Sequence, residues 1–223
     1  MNVWIEAPFD SLPTEGYRKQ RYWLMAEAFV RAGHHVVYWT SDFSHARKER
    51  RRAEAKANGG FEIRFVPTRP YEKNVSWARV KSHRAYAADW ERAAIDFVKQ
   101  PCDAPDLIVV SAPPVSTGPV ALRLARRFGA RLVVDVQDAW PETFYRLLPR
   151  GFRWIAWLLL SGLRRTMRRV YRQADLVTGV CDRYAALVKG YGAKGYYRAY
   201  LGIELPVPVQ VPVPVSGEGV RLA

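Results

Sequence analysis

Short apolar runs punctuate this chain, and longer mixtures of polar and apolar residues fill the gaps between them. The runs at 2–6 (NVWIE), 35–40 (HVVYWT), 61–66 (FEIRFV), 106–111 (DLIVVS), 131–136 (RLVVDV) and 175–180 (DLVTGV) are rich in β-branched and aromatic residues and read as strands. A shorter run at 195–200 (GYYRAY) adds a last one. Helices are predicted over 17–32, closed by Gly33 at a C-cap position, and over 75–99, 116–128, 142–172 and 183–190. The 142–172 helix is broken near Pro149-Arg150-Gly151. The charged segment 42–57, ended by Asn58-Gly59-Gly60, also reads as a helix, and 7–16 as a polar loop.

Strands that alternate with helices, and that are apolar along their whole length, belong to a parallel sheet covered on both faces. The fold class is therefore α/β, a doubly wound, Rossmann-like domain over 1–204. The character of the chain then changes. The stretch 205–215 (LPVPVQVPVPV) carries Pro206, Pro208, Pro212 and Pro214. Alternating prolines favour polyproline II, a stiff spacer of about 3.1 Å per residue. Residues 216–223 (SGEGVRLA) read as the entrance to a further domain.

Charge narrows the partners. Lys and Arg outnumber Asp and Glu 35 to 21, a net charge of +14, which calls for an anionic partner: nucleic acid, anionic lipid or a phosphate-bearing substrate. No recognised nucleic-acid motif accompanies the charge, so nucleic acid is the weakest of the three. Eight tryptophans imply amphipathic surfaces as well as core. Cys102 and Cys181 sit in no metal or CxxC spacing and read as reduced thiols of a cytosolic protein. The opening MNVWIEAPFD has no basic stretch before its apolar run, as a signal peptide would. His34, His35, His45 and His83 form no ligand spacing, and no metal site is expected.

Three segments line up with one family: 12–41 (LPTEGYRKQRYWLMAEAFVRAGHHVVYWTS), 133–144 (VVDVQDAWPETF) and 174–204 (ADLVTGVCDRYAALVKGYGAKGYYRAYLGIE). Their order and spacing resemble the amino-terminal domain of glycosyltransferase family 4, in particular bacterial enzymes that build surface polysaccharides. The resemblance implies the GT-B architecture, two Rossmann-like domains facing across a cleft. It also implies metal-independent, retaining transfer from a nucleotide-sugar, with no further cofactor. The amino-terminal half would chiefly bind the acceptor, and a carboxyl-terminal half with an E-x7-E motif would hold the donor. Glu54 and Glu62 match that spacing only by coincidence, because they span a basic segment and a Gly-Gly turn. The chain departs from the family pattern at Gln137, where many members have His, at Cys181 in place of Ser, and at Leu201 in place of Asn.

Candidate site residues follow. Asp138, at the carboxyl end of an internal strand, lies where open α/β sheets bind ligands and is suited to orient or deprotonate an acceptor hydroxyl. Its structural alternative is to cap the helix near Glu142. Gln137 and Trp140 flank it, the tryptophan offering a face for a sugar ring or for the core. Gly16 with Tyr17, Arg18 and Arg21 would present backbone amides and two arginines on one helix face to a phosphate. The alternative is a loop glycine followed by solvated arginines. In 111–118 (SAPPVSTG), Ser111 offers a hydroxyl near the site, and Ser116 is expected to cap the next helix.

The segment 151–173 is too short in its apolar run to span a bilayer, which takes about 20 residues. At ~100° per residue, Phe152, Ile155, Leu159, Leu163, Met167 and Val170 share one face. Arg153, Arg164, Arg165, Arg168, Arg169 and Arg172 share the other, with Trp154 and Trp157 inside the arginine arc. Tryptophan among arginines suits a lipid headgroup region, and the alternative is a packed helix with a solvated basic face. A second basic run, 47–56, has six basic residues against two acidic ones. The expectation is an acceptor-binding half-enzyme at the cytoplasmic face of the cell membrane, its acceptor a lipid-linked glycan. The competing expectation is a non-catalytic basic module that binds anionic membrane or polymer.

Overall fold

The computed structural model describes residues 1–51, 60–74, 76–146 and 149–201. In chain order the elements are β1 (Asn2–Glu6), α1 (Arg21–Arg31), β2 (His35–Ser41), a hairpin of β3 (Phe43–Ser44) and β4 (Glu49–Arg50), and β5 (Glu62–Val66). Then come α2 (Trp77–Phe97), β6 (Leu107–Ala112), α3 (Thr117–Phe128), β7 (Arg131–Val136), α4 (Glu142–Arg146), α5 (Arg153–Leu159), α6 (Ser161–Gln173), β8 (Leu176–Gly179), α7 (Asp182–Gly190) and β9 (Tyr196–Arg198). Seven strands form one sheet in the order β5-β2-β1-β6-β7-β8-β9, with every pairing parallel. This is the doubly wound sheet expected from the apolar runs. The winding reverses between β1 and β6, so the crevice beyond their carboxyl ends is the topological switch point.

The central strands β1, β2, β6 and β7 are buried on both faces because they are apolar along most of their length, whereas the edge strands β5 and β9 are partly exposed. One face packs α1 through Tyr22, Trp23 and Ala26 against Val36, Tyr38 and Phe61. The other packs α2, α3 and α6 through Trp90, Leu124, Met167 and Val170. Trp4 and Trp39 meet edge to face at 5.4 Å at the centre of that layer. Helices α3 and α6 come together at Gly118, where an added Cβ would lie 3.1 Å from both Val170 methyl carbons.

Four expectations are corrected. The segment 42–57 is not a helix where the structure describes it: it forms the β3–β4 hairpin, and 52–59 lie outside the described residues. The reason is local bonding. Ser41 Oγ accepts from Phe43 N at 2.9 Å, Asp42 Oδ1 accepts from Thr68 N at 2.7 Å, and Phe43 is buried on Tyr71. Charge supplied no apolar stripe to hold a helix against these contacts. Helix α1 starts at Arg21 rather than 17, because Gly16 turns left-handed and Gln20 is still extended. Arg18 and Arg21 therefore do not share a helix face.

The third correction is a second break at Leu160, which separates α5 from α6 and dissolves the single apolar stripe. Met167 and Val170 are buried, whereas Phe152 and Leu159 are 57% and 76% exposed. Fourth, Ser116 makes no capping bond to α3, since its hydroxyl donates to the His83 carbonyl at 2.9 Å. The proline-rich spacer and the expected second-domain entrance, 205–223, lie outside the described residues, as does Glu54.

Candidate functional site

Three loops meet beyond the carboxyl edge of the sheet. β1 leads into Ala7-Pro8-Phe9, β6 into Pro113-Pro114, and β7 into Gln137-Asp138. The last two are stitched together, because the backbone N–H groups of Gln137 and Asp138 both donate to the Ala112 carbonyl, at 2.9 and 3.4 Å. Asp138 is half-buried at the head of α4. Its Oδ1 accepts from Ala139 N at 2.8 Å, and its Oδ2 from Trp140 Nε1 at 2.8 Å. Thr143 Oγ1 lies 3.2 Å from Oδ1 and 2.9 Å from the Ala139 carbonyl, and its one proton serves one of them at a time. These are bracing contacts of the kind a helix cap makes. Two carboxylate oxygens carry about four lone-pair sites, so a further donor from the open side is still accommodated.

Trp140 is fixed by that bond to Asp138 and packs edge to face on Phe144 at 4.8 Å. Across it stands Arg79, near the amino terminus of α2, with its guanidinium 5.2 Å from the Trp140 ring, 5.5 Å from Phe9 and 5.9 Å from Tyr71. Ser76 caps this helix by accepting from Arg79 N at 3.1 Å. Arg79 donates to the Asn74 carbonyl at 2.7 Å and to His83 Nε2 at 3.2 Å. Lys48, in the β3–β4 turn at φ +61°, brings its ammonium 4.7 Å over the same Tyr71 ring. Its Nζ is 2.6 Å from Asn74 Oδ1 and 3.2 Å from His45 Nδ1. Burial, then the charges of Lys48 and Arg79, push His45 down to about 4. Burial, then Arg79, push His83 down to about 3, so both rings are neutral at pH 7.

Beneath these loops lies a layer of buried ionisable groups. Glu6, at the end of β1, is fully buried. Its Oε1 has no hydrogen-bond partner among the described residues, and Ser111 Oγ reaches Oε2 only at 3.5 Å. The Tyr86 hydroxyl is close enough to favour the anion yet completes no hydrogen bond. Burial dominates and pushes the Glu6 carboxyl up to about 8. Asp10 is pushed up to about 7, again by burial, although Tyr38 donates to it at 3.0 Å. Arg51 crosses this layer and donates to the Asp10 carbonyl at 2.5 Å.

The residues picked from sequence fall into separate groups. Ser111, Gln137, Asp138 and Trp140 share the carboxyl edge. Ser111 is buried between Glu6 and the Pro113 carbonyl. Gly16 closes a short 3-10 turn at φ +83°, its N–H donating to the Pro13 carbonyl at 3.0 Å. Tyr17 lies under the Arg47 guanidinium at 5.2 Å, and Arg18 is exposed. Arg21 is not beside them on a solvated face. It is buried in a two-pronged pair with Asp135 at 2.7 and 2.8 Å, and it also donates to the carbonyls of Ala199 and Tyr200. Thr178 Oγ1 completes the Asp135 shell at 2.5 Å. This pair ties α1 to β7, β8 and the end of β9, a structural use that the helix-face reading missed.

Trp154 and Trp157 on α5 are 66% and 55% exposed, and Leu158 beside them is exposed too. Arg164 stacks on Trp157 at 4.9 Å, Arg165 donates to Ser161 at 3.4 Å, and Arg168 and Arg169 are exposed. A groove of about 720 Å³ opens here, lined by Trp157, Leu158, Arg164, Arg168 and Leu187. Among the described residues no helix is long and apolar enough to cross a membrane, and no cluster of three His, Cys, Asp or Glu side chains is arranged to hold a metal ion.

Sequence reasoning missed Glu6, Phe9, His45, Lys48, Arg79 and His83. The histidines carried a signal only if read as partners of cations rather than as metal ligands. Lys48 falls inside the basic run 47–56, which reads only as surface charge, and Arg79 is a single charge that carried no signal.

The fold has counterparts among known structures. Sucrose-phosphate synthase from Thermosynechococcus elongatus superposes with a TM-score of 0.60 at 10% identity, over 89% of this chain and 47% of that one. UGT89C1 of Arabidopsis thaliana, complexed with UDP, gives 0.53 at 14% identity, over 92% and 50%. UGT73P12 of Glycyrrhiza uralensis, complexed with glycyrrhetinic acid 3-O-monoglucuronide, gives 0.51 at 13% identity, over 87% and 47%. The chain thus spans about half the length of these three proteins, and its sheet is one Rossmann-like half of the GT-B architecture. No match was found among curated protein sequences. The glycosyl transferase 4-like domain model matches residues 19–197, from the loop before α1 through β9, and on that match the chain belongs to the glycosyl transferase 4-like domain family.

Proposed function

We propose that this chain is the acceptor-side half of a retaining, metal-independent glycosyltransferase of the surface-polysaccharide type. It moves a sugar from a nucleotide-sugar to a lipid-linked glycan at the cytoplasmic face of the membrane. The observation that carries the reading is the position of Asp138, half-buried at the carboxyl end of β7 and flanked by Trp140, in a chain of this family. There the carboxylate has lone pairs left to orient the acceptor hydroxyl while Trp140 and Thr143 fix its plane. The donor half would follow the proline-rich spacer and present the nucleotide-sugar across the cleft. The UDP bound by the Arabidopsis neighbour supports a donor of that chemical class. The exposed tryptophans and arginines of α5 and α6 support contact with anionic lipid, and Arg79 and Lys48, which have no carboxylate within ion-pair distance among the described residues, suit an anionic acceptor.

The test is incorporation of labelled sugar into a lipid extract. A polypeptide joining this chain to a donor-binding half should label the lipid fraction from one of a panel of nucleotide-sugars. The 223-residue chain alone should not. Turnover by the chain alone, or binding of anionic vesicles with no transfer by the joined form, contradicts the half-enzyme reading and favours a basic binding module.

A further inference from the structure

Lys48 and Arg79 are brought together by elements far apart in the chain, the β3–β4 turn and the amino terminus of α2. Both cations lie within 6 Å of one ring, at 4.7 and 5.9 Å from the Tyr71 centroid. Two like charges in one place repel, and the positive end of the 21-residue α2 adds to that repulsion. Among the described residues neither cation has a carboxylate within ion-pair distance. The neighbours are carbonyl or amide oxygens of Asn74, aromatic faces and the two histidines. Elsewhere in the chain exposed arginines do find carboxylates, as Arg123 with Glu91 and Arg198 with Asp182. Here the cationic charge is held in a fixed place and left without a counter-charge.

We propose that Lys48 and Arg79, walled by Phe9, Tyr71 and Trp140, form a phosphate-binding subsite that seats the anionic group of the acceptor beside Asp138. The inference rests on the acceptor-side reading for the identity of the ligand, and on the cation pair for the site itself. An ammonium and a guanidinium fork suit a phosphate or diphosphate: the lysine acts as a point charge and the arginine donates from its edge. Arg79 spans the distance to the reacting end of the site, because the Trp140 ring it covers is the one whose N–H holds Asp138. An acceptor phosphate held there leaves its sugar or prenyl portion to run along Trp140 past the carboxylate. The same chemistry is present in the diphosphate of a nucleotide-sugar, and the experiment separates the two sources.

The 223-residue chain is titrated calorimetrically at low salt with inorganic pyrophosphate and, separately, with UDP. Lys48→Gln/Arg79→Gln should weaken pyrophosphate binding about tenfold or more, as expected for lost charge-assisted contacts. Arg126→Gln/Arg127→Gln at the end of α3, both exposed, should change it less than about twofold. In the wild type, pyrophosphate should shift the ring resonances of His45 and His83, a readout that needs no variant and survives a failure of the double variant to fold. No pyrophosphate binding by the wild type, loss as large in the α3 variant as in the Lys48/Arg79 variant, or histidine resonances that do not respond overturns the subsite. UDP that binds about tenfold tighter than pyrophosphate through Lys48 and Arg79 assigns the subsite to the donor and overturns the acceptor assignment. None of these failures touches the sugar-incorporation test, which stands or falls separately.

Discussion

Replacing Glu6 with Gln should make the fold less sensitive to rising pH between about 4.5 and 8, and the size of the effect follows from burial. The carboxyl is raised from its ordinary 4.5 to about 8, because it is fully buried with Oε1 unpartnered among the described residues. At about 1.36 kcal/mol per pH unit, this amounts to about 4–5 kcal/mol of preference for the protonated form in the fold. Below pH 4.5 both folded and unfolded chains carry the proton. Between 4.5 and about 8 the unfolded chain releases it while the folded chain retains it, so stability falls as pH rises, by about 1.4 kcal/mol per unit. Gln keeps the shape and cannot ionise. The two depressed histidines titrate in both proteins and cancel in the comparison, and Asp10, raised to about 7, is the smallest of the influences on Glu6 and changes the difference little. Urea unfolding followed by tryptophan fluorescence at pH 5, 7 and 9 would measure it. The stability of Glu6→Gln relative to wild type should improve by about 4 kcal/mol from pH 5 to 9. Parallel profiles would refute the reasoning, since they would mean that Glu6 ionises in the fold without cost.

Arg21→Gln should destabilise by about 3–5 kcal/mol, because it leaves the Asp135 carboxylate buried without its counter-charge. Thermal melting should also show Arg21→Met/Asp135→Leu to be less damaged than the single variant, and equal damage would contradict the buried-pair account. For the membrane, wild-type chain should co-sediment with anionic vesicles, and added salt should weaken but not abolish it. Arg164→Gln with the same change at Arg165, Arg168 and Arg169 should remove most of the salt-sensitive part, at about 1 kcal/mol per basic residue. Trp154→Ala/Trp157→Ala should reduce the salt-resistant part. Wild type that stays in the supernatant at low salt would leave α5 and α6 as an ordinary packed pair.

Strands were legible because a buried parallel strand writes its environment into five or six consecutive residues, as DLIVVS and RLVVDV do. The place of Asp138 was legible for the same reason, since it follows such a run directly. The hairpin at 43–50 was not, because it depends on where Ser41 and Asp42 direct single side-chain bonds and on Phe43 reaching Tyr71. Arg21 looked like a surface residue of an amphipathic helix. Its partner Asp135 is 114 positions away, and no local pattern announces a pair at that distance. Lys48, Arg79, His45 and His83 come from two separate stretches, and only the folded sheet edge assembles them. The break at Leu160 follows no proline or glycine at that position, and it redirected Leu159 to solvent against the helical period.

The central claim is that the carboxyl end of β7 holds the acceptor through Asp138. Its most direct test is the initial rate of sugar transfer by the form joined to a donor-binding half, wild type against Asp138→Asn, with the melting temperature of each taken alongside. The asparagine keeps one oxygen for Ala139 N and Thr143, places an NH2 where the second oxygen accepts from Trp140 Nε1, and removes the charge and basicity. The account predicts a rate about 10²–10⁴-fold lower, far more than the loss of the Trp140 bond, about 1 kcal/mol of stability, accounts for. An unchanged rate, or a rate that falls only in step with a loss of about 0.5–2 kcal/mol in stability, would make Asp138 a helix cap and contradict the site.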